Sequence, residues 1–141
     1  MIKKYIVLFF LFPFFALHAE KPPFPLCNHV YKNDQLTSLA EYAEGIDAMY
    51  RFIYKNLKWE CGANSYEGIV LVSFTVDRLG NLWNIEIQQT VAPCLDLEVV
   101  KAFKLMPVWR PATINGVNVC SEMSIPVRFR LGWEEIHQRK K

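Results

Sequence analysis

From Gly68 to Asp77 apolar and polar positions alternate with a period of two. Val70, Val72, Phe74 and Val76 share one face, and Ile69, Leu71, Ser73 and Thr75 the other. That period and its β-branched content predict a strand. Asp77-Arg78-Leu79-Gly80-Asn81 follows as a turn, with Gly80 free to take a positive φ. The stretch 82–90 then places Trp83, Ile85 and Ile87 on one face and Asn84, Glu86 and Gln88 on the other. Together these segments read as a hairpin with one wet side. The last strand is predicted over 121–131, where Met123, Ile125, Val127, Phe129 and Leu131 alternate with Ser124, Pro126, Arg128 and Arg130. A proline inside a strand points to an edge, because it has no N–H for a ladder.

Two segments show a helical period. Ile46, Met49, Tyr50, Ile53 and Leu57 form one apolar stripe after Gly45, and Met49 and Tyr50 read as core residues. Leu95, Val99, Ala102, Phe103 and Met106 form a second stripe. Asp96 and Glu98 at its start and Lys101 and Lys104 near its end suit the helix dipole, and Pro107 stops it. Trp83 and Trp109 read as packing residues. Asn115-Gly116 marks a tight turn.

The order helix, strand, strand, helix, strand predicts an α+β fold in two layers. It has a three-stranded antiparallel sheet with a β-β-α-β core and both helices on one face. The expected strand order is 82–90, 68–77, 121–131, which leaves the last strand at an edge. The segment 36–44 has weak helical spacing and stays ambiguous on its own residues.

The N-terminus reads as an address. Lys3 and Lys4 precede the apolar run Tyr5–Leu17, and Ala19 is a small residue at a plausible cleavage position. Thirteen helical residues span about 20 Å, against roughly 30 Å for a hydrocarbon core. Residues 1–19 are therefore expected to be a secretory signal peptide, 20–38 an extended arm rich in proline, 39–133 the domain and 134–141 a charged tail. Without residues 1–19 the chain has 14 basic and 14 acidic residues. That balance makes the chain a poor candidate for nonspecific nucleic-acid binding, which depends on Lys and Arg at phosphates, and no nucleic-acid partner is expected.

Export to an oxidising compartment makes Cys27, Cys61, Cys94 and Cys120 candidates for two disulfides. There is no C-x-x-C for a metal or a redox site, and Cys27-x-His29 is the one close pair of metal-ligand types. If Cys61 precedes the first hairpin strand and Cys94 follows the second, the two lie at neighbouring ends. This makes Cys61–Cys94 one expected bridge and Cys27–Cys120 the other, pinning the arm to the last strand. No metal or cofactor is expected. No catalytic constellation is found either: the mature part has only His29 and His137, with no H-E-x-x-H, G-x-S-x-G or phosphate loop. Asp77 fits the structural role of Asp in turns.

Several motifs taken together resemble the C-terminal domain of TonB energy transducers. They are Glu67-Gly68 opening a strand, Asp77-Arg78-Leu79-Gly80, Met106-Pro107-Val108-Trp109-Arg110-Pro111, Asn115-Gly116 and Ile125-Pro126-Val127-Arg128-Phe129. Ala40-Glu41-Tyr42-Ala43-Glu44-Gly45 and Cys94 resemble the Bacteroidetes-type branch of that family. The resemblance implies a periplasmic domain that binds the TonB box of an outer-membrane receptor by adding it as a strand. It also implies that 39–44 is extended rather than helical. On that basis Ser124, Pro126, Arg128 and Arg130 are the expected partner-binding positions. Pairing of two copies through an edge strand is a further expectation. Two other readings are an anchored short transducer, with the leader retained, and an envelope assembly protein using the same fold.

Overall fold

The computed structural model describes residues 27–58 and 66–131. The expected leader, the first part of the arm, Cys61 and the tail 134–141 lie outside them.

The alternating segments form the predicted strands, and shorter ones join them. In chain order the elements are β1 (Val30–Tyr31), α1 (Ile46–Asn56), β2 (Gly68–Val76), β3 (Leu82–Gln89), α2 (Pro93–Lys104), β4 (Ala112–Ile114) and β5 (Val117–Phe129). The sheet runs β1-β5-β2-β3, with β4 paired to the start of β5. The three central strands are antiparallel in the expected order. The expectation of three strands is corrected to five. β4 and β5 form a hairpin around Asn115 and Gly116, both at positive φ, and β1 pairs with β5 in parallel. Strands of two and three residues are too short to display a period of two, so the sequence does not announce them.

The core sits between the helices and one face of the sheet. Val70, Val72, Phe74 and Val76 of β2 and Ile125, Val127 and Phe129 of β5 are buried against Met49 and Ile53 of α1 and Leu95, Val99, Ala102 and Phe103 of α2. Four helix and strand details differ from expectation. Ile46 is 64% exposed at the start of α1, and Leu131 is 60% exposed past the end of β5. α2 begins at Pro93 rather than Leu95, because proline suits the first helical turn, where its missing N–H would have no partner. On β3, Asn84 has φ 48°. The bulge there pairs Trp83 with Thr75 and Ile87 with Val72. Trp83 therefore lies on the opposite face from Ile85 and Ile87 rather than with them.

Two corners tie the sheet to its surroundings. In the β2–β3 turn the Asp77 side chain is fully buried. It accepts hydrogen bonds from the backbone N–H groups of Leu79 and Asn81, at 2.8 and 2.9 Å, and from the Trp83 indole N–H at 2.8 Å. Burial alone would push its pKa up. The hydrogen bonds from Trp83, Asn81 and Leu79 outweigh that and hold it below the usual carboxylate value. Gly80, at φ 87°, accepts from the Trp109 N–H at 2.9 Å, and a Cβ there would run into the Trp109 carbonyl. Trp109 is buried edge-on against Phe74 and Tyr42, with centroids 5.2 and 5.9 Å away.

The segment 39–44 is not helical: it runs extended through Tyr42 and then turns at Ala43 and Glu44, where the Gly45 N–H donates to the Tyr42 carbonyl at 2.9 Å. Glu41 exchanges backbone hydrogen bonds with Arg110 at 2.8 and 3.0 Å, and the Arg110 guanidinium meets Glu41 Oε1 at 2.7 Å. Between α1 and α2, buried Glu98 accepts from the Lys58 N–H at 2.8 Å and pairs with Lys101 Nζ at 3.1 Å. Burial would raise the Glu98 pKa, but these partners lower it.

Candidate binding edge

β5 pairs with β2 in one unbroken register, from Ser121 opposite Val76 to Phe129 opposite Gly68. A regular strand alternates both its side chains and its backbone directions. Ile125, Val127 and Phe129 are buried, whereas Glu122, Ser124, Pro126, Arg128 and Arg130 are exposed. The backbone groups of the exposed set should therefore point away from β2.

Two contacts fix that direction. The Tyr50 hydroxyl donates to the Pro126 carbonyl at 3.1 Å, and the Tyr54 hydroxyl donates to the Arg128 carbonyl at 2.9 Å. Both acceptors face the outer edge. Pro126 pairs with Leu71 of β2 on its inner side only, so its missing N–H falls where no ladder needs it.

The edge has three stretches. At one end β1 lies against Cys120 and Ser121, and the Cys27–Cys120 disulfide clamps it there, with 5.7 Å between Cα atoms. Cys94 sits at the start of α2, and its expected partner Cys61 lies outside the described residues. In the middle, the pairing of the arm with β5 gives way after Tyr31 to a short 3₁₀ turn at Asn33–Gln35. It leaves an open cleft of about 530 Å³ between Lys32, Asn33 and Asp34 on one side and Glu122, Met123 and Ser124 on the other. At the far end the two tyrosines cover the carbonyls of Pro126 and Arg128. Burial raises the pKa of both tyrosines, so each stays a protonated donor well into the alkaline range.

The structure thus brings Ser124, Pro126, Arg128 and Arg130 into one exposed row. It also adds two residues that the sequence reading did not place at this edge. Tyr50 read as core, yet it is only partly buried and its hydroxyl reaches the strand edge. Tyr54 was not singled out. The available signal was the i, i+4 spacing of two tyrosines, whose polar tips seek partners when their rings are partly buried.

Residues 62–131 match the family model described as Gram-negative bacterial TonB protein C-terminal. Through these residues the chain belongs to the TonB C-terminal family. The matched stretch takes in β2 to β5 and α2, and leaves out β1 and α1. Compared with curated proteins and with solved structures, the chain matches none. Among the described residues no helix is long and apolar enough to cross a membrane. No three His, Cys, Asp or Glu among them gather as a metal site would need.

Proposed function

We propose that this chain is a periplasmic TonB-like binding module that takes up a short extended peptide of an outer-membrane transport receptor. The peptide adds as a strand along the outer edge of β5, at Ser124, Pro126, Arg128 and Arg130. The observation that carries this reading is the edge itself. It keeps one register with β2 over nine paired residues, carries no strand among the described residues on its outer side from Glu122 to Phe129, and directs carbonyls outward that side chains rather than a strand now hold. In such recognition main-chain hydrogen bonds supply affinity, and alternate side chains supply selectivity. The exposed Arg128 and Arg130 favour an acidic group at one end of the guest. The outward backbone is neutral, so binding should weaken little when salt screens the charges.

The test uses synthetic twelve-residue peptides that copy the N-terminal segments of outer-membrane receptors from the same genome, titrated into the mature protein by calorimetry. Ser124→Pro removes one outward N–H and leaves the β2 ladder intact, as Pro126 already does two residues on. It should weaken binding at least about tenfold. Undiminished binding by Ser124→Pro would show that the guest sits elsewhere and overturn the reading.

A further inference from the structure

Tyr50 and Tyr54 stand one turn apart on α1, about 6 Å along the helix axis. Pro126 and Arg128 are two residues apart on β5, about 6.6 Å along a strand. The two repeats match closely enough for the rings to lie nearly parallel, with centroids 6.3 Å apart and planes 20° apart. Each hydroxyl meets one of two successive outward carbonyls. A neighbouring strand would offer backbone N–H donors to those same oxygens. One face of α1 therefore imitates the donor row of a paired strand.

From this geometry we propose that Tyr50 and Tyr54 are a latch on the docking edge, filling its carbonyls in the unbound protein and giving way when a peptide strand pairs there. This rests on the strand-addition reading above and names the regulation of that same edge.

Three features make the exchange workable. α1 is held by other means, since Met49 and Ile53 are buried in the core, so the helix does not depend on the two hydroxyls to stay docked. Both tyrosines are only partly buried, so a released hydroxyl can turn to water. The cleft beside Ser124 gives a guest its first foothold, next to the latch rather than under it. Each carbonyl then trades an O–H donor for an N–H donor, and the net count of hydrogen bonds is kept. The latch discriminates by length. A segment that reaches only Ser124 leaves it closed, whereas one that continues past Pro126 replaces both tyrosine bonds.

The experiment compares wild type with the double variant Tyr50→Phe/Tyr54→Phe, using the same receptor peptides and calorimetry. Nuclear magnetic resonance of the tyrosine ring signals in the wild type is the second readout. The double variant keeps the rings and removes the competing donors, so it should bind about tenfold more tightly. In the wild type, both ring signals should shift on saturation. If the double variant fails to fold, Tyr54→Phe alone is read, with about threefold tighter binding expected. Equal or weaker binding by the variant, with peptide still bound, would overturn the latch and leave strand addition standing. Binding by neither protein would overturn both.

Discussion

Along β3 the pairing with β2 slips twice, between Leu71 and Val72 and again between Ser73 and Thr75. Along β5 the pairing with β2 holds one register for nine residues. The β3 edge carries its irregularity in the backbone, with Asn84 in the left-handed region and Trp83 turned back to the Asp77 carboxylate. The β5 edge carries none, and two tyrosine hydroxyls cover part of it instead. Both devices deal with the same hazard, since an open strand edge invites pairing with other chains. They differ in permanence. A bulge can be removed only by changing the backbone, whereas a hydroxyl–carbonyl bond contributes about 1 kcal/mol and can be exchanged. The β3 edge is closed by construction, and the β5 edge is closed by contacts that a better donor can replace.

The largest expected effect lies at the corner that feeds β3. Gly80→Ala would press a Cβ into the Trp109 backbone at a φ that L-residues seldom adopt. It should cost about 4 kcal/mol in urea unfolding. A loss below about 1 kcal/mol would mean that the corner yields, and that the β3 side is less fixed than its geometry implies.

Next comes the clamp at the other edge. The Cys27–Cys120 bridge closes a loop with a sequence separation of 93 and holds a parallel pairing of only two residue pairs. Replacing both with Ser should cost about 3 kcal/mol. It should also raise amide exchange at Val30 and Tyr31 while β2 stays protected. Exchange that rises equally in β1 and β2 would show that the arm belongs to the core of the domain, contrary to the comparison drawn between the edges.

The third expectation concerns acid. Asp77 and Glu98 both have folded pKa values below their ordinary ones. Their stabilisation is complete above the ordinary carboxylate range and is lost as pH falls through the folded values. Asp77→Asn should flatten that acid limb, and the remaining slope belongs to Glu98. Tyr50 and Tyr54, with raised values, act at the opposite end. What they add is complete below about pH 10 and fades as pH rises through their folded values. A stability curve with an acid limb insensitive to Asp77→Asn would contradict the buried hydrogen-bonded carboxylate.

Much of this arrangement was legible from periodicity. The alternation in 68–77 and 121–131 gave the two inner strands and their buried faces, because a face packed on a core must repeat every second residue. Pro126 announced the edge, because a proline inside a two-sided ladder leaves an acceptor without its donor. Tyr50 misled for an equally physical reason. The i, i+3, i+4 rule places a residue on the inward stripe of a helix, yet it does not say whether that stripe ends over the core or at the rim of the sheet. Trp83 was misplaced because a bulge shifts every later side chain by one face, and nothing in the alternation of 82–90 marks where it falls. Asn84 was the residual hint, since Asn tolerates positive φ better than most residues.

That hint supplies the smallest effect and the finest test of the comparison. Asn84 sits at φ 48°, where a side chain is mildly penalised and glycine is not. If the bulge is a backbone feature set by the Asp77–Trp83 contact and the paired register on either side, Asn84→Gly should keep it. The variant should then gain about 0.5 kcal/mol from relief of the left-handed conformation. The Trp83 indole N–H should keep its place at Asp77, visible as an unchanged side-chain resonance. If the bulge instead depends on the Asn84 side chain, the glycine variant should let β3 slip into regular register. Trp83 would then move to the core face and the variant would lose stability. The second outcome would make the β3 edge as conditional as that of β5, and the contrast between a permanent closure and an exchangeable one would no longer hold.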